Sequence, residues 1–332
     1  MGWDLLGHEW ASDLLREHIV RGQVRHAYLL CGPPGSGRRT LALRFAQALN
    51  CPTPLAPGEP CRTCRTCAQI ERMQHPDLNV LIPAEDGRSL KVEQIRQLLQ
   101  SLALSPYQSP YRIGLLPNFE NATPSAQNAL LKTLEEAPER AILLLTAPSP
   151  EDLLPTIVSR CEIMRLRPLP VDALAAALSR NQGLPAADAA NLAHLTGGRT
   201  GAALRLQADP AELAEHDKAI DTLAQLLTEN RAARFHYARA LSEDREKLHR
   251  TLQIWLVFWR DLLLRIAGSN GRVANLKRMD LLVRLAEQIR YEQALAQVTA
   301  LQNALDSLDA NANARLLSEA LLLDWPYLLP LN

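Results

Sequence analysis

The chain has 332 residues, 47% of them hydrophobic, enough for a buried core and for two or three domains. Its 36 basic and 36 acidic residues cancel, so no global field draws it to nucleic acid or to a membrane, and any DNA contact must come from a local patch. The opening residues lack a basic-then-apolar signal pattern, and the longest apolar stretch, 252–266, is broken by Arg260 and Asp261 and reads as a buried helix, so a cytoplasmic location is expected.

Up to about Pro168, short apolar runs alternate with helical patterns. Strands are predicted over 26–31, 79–82, 111–116, 141–146 and 161–166, and helices over 39–49, 92–104 and 126–136. That alternation predicts a parallel sheet covered on both faces. Residues 167–170, Arg-Pro-Leu-Pro, form a proline-rich joint. Beyond it a small helical unit is expected over 171–207, with helices at 171–179, 186–195 and 201–206 around a Gly197-Gly198 break. From about Ala208 onward the pattern is of long amphipathic helices, as at 276–290 and 294–308. Trp255, Phe258 and Trp259 lie at helical spacing and read as packing within this last region rather than as a platform for stacking bases.

Gly32-Pro-Pro-Gly-Ser-Gly37 follows a predicted strand and precedes a predicted helix, the context of a phosphate-binding loop. Glycines there let backbone amides turn toward an anion. An active loop continues with Lys, which reaches the outer phosphates, and then Ser or Thr, which holds magnesium. Here those positions are Arg38 and Arg39, and the first hydroxyl comes one place late, at Thr40. Arg38 keeps the charge but spreads it over a planar fork, and Arg39 cannot ligate magnesium. Gly32, Gly35, Gly37, Arg38 and Thr40 are therefore candidate contacts of a degenerate loop, and tight ATP binding is not expected. The partner strand of such a site should end in acids. The predicted strand at 111–116 instead runs into Pro117-Asn118, neither of which is an acid or a base at neutral pH. Glu120, two residues beyond, is a candidate displaced acid, though a loop residue is the simpler reading.

Cys51, Cys61, Cys64 and Cys67 form a C-x9-C-x2-C-x2-C cluster around a proline-rich insert. Four thiolates close a tetrahedral zinc site with no open position, so a structural role is expected; four reduced cysteines in a loop are the simpler alternative. His75 is a spare candidate ligand, and Cys31 reads as core.

Downstream come Asn128-Ala-Leu-Leu-Lys-Thr-Leu-Glu-Glu136 and Ser159-Arg-Cys161. With the degenerate loop, these closely resemble bacterial clamp-loader subunits of the AAA+ class. The stretch 308–319, Leu-Asp-Ala-Asn-Ala-Asn-Ala-Arg-Leu-Leu-Ser-Glu, extends the resemblance to the family's last collar helices. The resemblance implies an α/β P-loop (AAA+) domain at 1–168 with a zinc module at 51–67. A helical lid at 169–207 and an all-α collar at 208–332 would follow. It implies a part in the DNA polymerase III holoenzyme, with motor (tau/gamma) and delta subunits as partners, the sliding clamp as an indirect one, and primed DNA as the loading site. Within the family, Arg38, Arg39, Pro117 and Asn118 depart from the motor pattern, as does Gly201 where a lid arginine is expected, with Arg199 nearby. These departures favour the delta-prime type, with no ATPase or polymerase activity of its own. A motor subunit with an unorthodox loop and a zinc-stabilised DNA- or protein-binding adaptor are the alternatives. By the same resemblance Arg160 would act in trans as an arginine finger on a neighbour's ATP; the plainer reading is a local ion pair. Arg88, Lys91 and Arg96 are candidate DNA contacts, or ordinary solvated charges. Cys161 reads as a small packed residue rather than a nucleophile.

Overall fold

In a computed structural model, residues 3–82, 89–269 and 271–328 are described. The chain forms two compact units: Met1–Pro170 with Arg199–Ala202, and Val171–Gly198 with Ala203–Asn332.

The first unit contains five strands, β1 (Ala27–Cys31), β2 (Leu78–Val80), β3 (Arg112–Leu116), β4 (Ala141–Ala147) and β5 (Glu162–Arg165). They form one parallel sheet in the order β2-β3-β4-β1-β5. Its helices are α1 (Glu9–Val20), α2 (Arg38–Asn50), α3 (Arg65–Glu71), α4 (Val92–Leu102), α5 (Pro124–Glu135) and α6 (Pro155–Val158). Central strands β1 and β4 are buried along their whole length, as their unbroken apolar runs require of a sheet covered on both faces. Alternation along them divides the core. Tyr28, Leu30, Ile142 and Leu144 pack with Leu15, Leu41 and Phe45 on one face. Ala27, Leu29, Cys31, Leu143 and Leu145 pack with Ile95, Leu98, Leu130 and Ile157 on the other.

All five strands predicted from sequence are present. The helix predicted at 92–104 stops at Leu102, because Pro106 disfavours helical geometry in the residue before it. Helices α1 and α3 were not predicted. The first buries its own Ala11 and Leu15 in the core that also holds Trp3, and the second is capped by Cys64, whose sulfur accepts from the Cys67 amide.

The second unit holds α7 (Val171–Gln182), α8 (Ala186–Leu195), the rest of α9 (Thr200–Ala208), α10 (Pro210–Thr228), α11 (Arg231–Ser242) and α12 (Arg245–Ile266). Then come α13 (Met279–Gln288), α14 (Tyr291–Asp309) and α15 (Ala314–Leu323). Trp255, Phe258 and Trp259 are fully buried, and Trp325 meets Trp255 edge-on at 4.8 Å. The helix expected over 276–290 is a 3-10 turn, Leu276–Arg278, followed by α13. The buried Asp261 carboxylate holds the turn's entry by accepting from the Ala274 and Asn275 amides.

Arg234, buried within α11, has no counterpart in the sequence reading. Its guanidinium donates to the carbonyls of Leu226 (2.8 Å), Leu227 (3.1 Å), Trp325 (2.6 Å) and Pro326 (2.9 Å). It thereby caps the end of α10 and the turn after α15, satisfying carbonyls that helix termini leave without partners. Burial pulls its pKa down, but the carbonyls keep the charge solvated. Arg234→Met keeps the stem and strands those acceptors. It should cost about 3 kcal/mol, read as a lower midpoint in thermal or urea unfolding.

Candidate functional site

The phosphate loop lies between β1 and α2. Gly35 (φ +81°) and Gly37 (φ +97°) hold left-handed backbone that only glycine adopts without strain. Gly37 caps α2 without a side chain, as expected where a helix start faces an anion.

The residues that would complete an ATP site go elsewhere. Arg38 is 8% exposed and folds toward the end of β3, where Nη2 donates to Asn118 Oδ1 at 3.2 Å. Two departures from the active pattern, eighty positions apart, are thus bonded to each other. Glu120 is the nearby acid. Burial raises its pKa, and the Arg38 charge acts against that rise. Burial in turn lowers the Arg38 pKa, with Glu120 opposing. Glu120 and Arg38 thus lie close enough for their charges to act on each other, with no ion pair formed between them. Asn118 tolerates its left-handed φ of 52°, and its amide donates to Thr146 Oγ1 at the end of β4. Arg39 is exposed and reaches Met73 Sδ, and Thr40 is exposed too.

The loop's carbonyls are engaged from within the same unit. His8 Nε2 lies 2.8 Å from the Ser36 carbonyl, and Thr200 Oγ1 donates to that carbonyl at 3.5 Å. The Ala202 amide donates to the Gly35 carbonyl at 3.0 Å, and Arg199 Nη1 to the Pro34 carbonyl at 3.4 Å. Gly201 makes this approach possible: a Cβ there would stand 2.9 Å from the Gly35 oxygen and 3.4 Å from the Gly37 nitrogen. In an ordinary helix, Gly→Ala stabilises by about 0.5–1 kcal/mol. Here the atoms in the way are backbone, so Gly201→Ala should reverse the sign. A net loss of about 1 kcal/mol, read as a drop of a few degrees in thermal midpoint, is expected.

The four cysteines meet as a cluster, with sulfur atoms all within 4.8 Å of one another. Cys51 Sγ is 3.5 Å from Cys61 Sγ and 4.0 Å from Cys64 Sγ, far beyond a covalent S–S bond. Tetrahedral zinc with ~2.3 Å bonds sets sulfur–sulfur separations of about 3.8 Å, so the cluster fits a metal ion of this kind. The Cys61, Cys64 and Cys67 amides point at the sulfurs of Cys51, Cys61 and Cys64, at 3.3–3.5 Å. The Thr53 hydroxyl, donating to Cys61, pulls that thiol down to about 5 and favours the ligating thiolate. Trp3 Nε1 on the Gly58 carbonyl and Gln47 Nε2 on the Cys67 carbonyl tie the module to the sheet domain. Arg62 is exposed and pairs with Asp4. His75 is not a ligand; its ring accepts from the Asp77 amide and meets Ser109 Oγ, anchoring a loop.

Arg160 lies just before β5, its side chain 35% exposed. Nη1 donates to the Thr156 carbonyl at 2.9 Å, and Nη2 pairs with Glu135 Oε1 at 2.6 Å. The local ion pair considered from sequence is thus present. Cys161, beside it, is partly buried, and its thiol is pushed up to about 12 by burial, which suits packing and not attack. Lys91 and Arg96 are exposed at the start of α4, while Arg88 falls outside the described residues.

A family model described as DNA polymerase III, delta subunit, matches residues 7–170. The chain is 29% identical over 315 residues to DNA polymerase III subunit delta' of Bacillus subtilis, covering 93% of both proteins. It is a delta-prime-like member of the clamp-loader family. The delta' subunit of Pseudomonas aeruginosa is 37% identical over 163 residues, 49% of each protein. DNA polymerase III subunit tau of Escherichia coli is 34% identical over 169 residues, 51% of this chain and 26% of tau. The chain therefore spans half or less of these last two relatives. The matched region carries the parallel sheet and the glycine-rich loop from Gly32 to Gly37. Among the described residues, no helix is long and apolar enough to cross a membrane.

Sequence reasoning missed His8, Thr146, Thr200 and Glu135. The signals were faint: a histidine before a helix, and hydroxyls or acids at the ends of elements, any of which is ordinary surface chemistry until the fold assembles.

Proposed function

We propose that this clamp-loader subunit does not hydrolyse ATP itself and instead serves a neighbouring ATPase, supplying Arg160 in trans. Its partners would be tau/gamma-type motor subunits and a delta subunit, and together they would load the sliding clamp on primed DNA. The observation that carries the reading is the Arg38–Asn118 hydrogen bond. It supports a loop whose phosphate-reaching cation is committed to its own chain, beside a strand end, Pro117-Asn118, that offers no acid. The engaged loop carbonyls and the exposed positions of Arg39 and Thr40 point the same way.

The four cysteines would hold structural Zn2+. Residues 169–207 would act as the lid and 208–332 as the collar through which subunits associate. Lys91 and Arg96 would face DNA phosphates. Mixing the purified chain with motor and delta subunits tests the reading: a stable hetero-oligomer should elute, and the chain alone should not turn over ATP. The match to tau favours a second reading, a motor subunit with an unorthodox loop. It predicts magnesium-dependent turnover by the isolated chain, abolished by Arg38→Ala. An adaptor outside any loader would show no co-assembly.

A further inference from the structure

Glu135 is the acidic residue that the proposed role of Arg160 leaves unexplained. It is the last residue of α5, and its carboxylate is half-exposed. Its backbone is fixed through the residue before it. Leu134 is buried in the core, and the Leu134 carbonyl lies 2.9 Å from His26 Nε2, just ahead of β1. Arg160 stands on an equally firm base, its amide bonded to the Ile157 carbonyl and Ile157 itself fully buried. The guanidinium is held by the Glu135 carboxylate at 2.6 Å on Nη2, and on Nη1 by the Thr156 carbonyl at 2.9 Å and the Ser159 hydroxyl at 3.4 Å. Its other donors stay available, because it is a five-donor fork and about a third of the side chain is exposed.

We propose that Glu135 is a positioning residue for the Arg160 finger, orienting the guanidinium through a carboxylate fixed at the end of α5. This rests on Arg160 acting in trans. An exposed ion pair contributes little to folding, so the pair has little value as a staple. Its effect is on orientation. Arg carries large rotamer freedom, and a group that must meet a phosphoryl oxygen gains rate when that freedom is removed beforehand. Glu135 has the reach and the rigid base to remove it, whereas the neighbouring Glu136, also exposed, has no bond to Arg160.

The test is stimulated ATP turnover of the reconstituted loader carrying this chain. Glu135→Ala should lower kcat on the order of tenfold with KM unchanged, with normal assembly and thermal midpoint. Glu135→Gln, which keeps an acceptor oxygen, should recover part of that loss, and Glu136→Ala should change nothing. In an Arg160→Ala background, Glu135→Ala should have no further effect. If Arg160→Ala slows turnover but Glu135→Ala leaves it unchanged or speeds it, the positioning role is wrong and the finger survives. If Arg160→Ala has no effect, the finger and the positioning role both fall.

Discussion

Arg160→Ala should lower clamp- and DNA-stimulated ATP turnover of the reconstituted loader by at least about tenfold, with the subunit still in the complex. Arginine fingers in the best-studied phosphoryl-transfer enzymes are worth on the order of 10³–10⁵, because a fixed guanidinium meets charge that develops only in the transition state. This finger would serve a single neighbouring site, so bulk turnover need not show the full factor. The same substitution should scarcely affect folding. It removes an exposed pair with Glu135 and bonds to Thr156 and Ser159, and exposed pairs are typically worth about 0–1 kcal/mol. Arg160→Lys should restore little, since a point charge lacks the fork. Normal turnover in a correctly assembled Arg160→Ala complex would remove the finger from the account.

Cys64→Ser should abolish metal binding and open the segment between Cys51 and Cys67. Elemental analysis should find about one zinc per wild-type chain and almost none in the variant. Structural zinc contributes about 10–16 kcal/mol of apparent folding energy in isolated finger peptides, so loss of a ligand should be decisive within the module. The effect should stay local. The sheet has its own core on both faces, and the module is joined to it by the Trp3–Gly58 and Gln47–Cys67 hydrogen bonds and by the Arg44–Glu71 pair. Limited proteolysis should therefore cut the variant first in the proline-rich insert while the sheet remains protected. A wild-type chain that purifies metal-free, with the insert already resistant, would contradict the assignment.

Much of the fold was legible because its signals are local. A parallel strand buried on both faces must be apolar throughout, so 141–146 declared itself before any partner was known. The cysteine spacing announced a cluster for a similar reason, since short C-x2-C steps confine sulfurs by chain geometry alone, and the fold brings all four together. The loop's missing lysine, hydroxyl and acids could also be read directly, because each is an identity at a fixed offset from a glycine or a strand.

The fate of the site's side chains could not be read that way. Nothing local to Arg38 distinguishes an anion, solvent or a distant side chain as its partner; only folding brings Asn118 within 3.2 Å of it. Gly201 looked like a lost lid arginine, and the structure shows a positive requirement as well, the absence of a Cβ against the Gly35 carbonyl. Arg234 carried no signal in the sequence, yet it is buried among carbonyls of residues up to 92 positions away. By itself, then, the sequence determined the sheet, the cysteine cluster and the absence of the usual ATP-site side chains, because these depend on near neighbours along the chain. Tertiary structure decided that Arg38 is bonded to Asn118, that the loop carbonyls are engaged, and that Glu135 holds Arg160. Those contacts join residues 25 to 165 positions apart, and no local pattern encodes which distant partner will arrive.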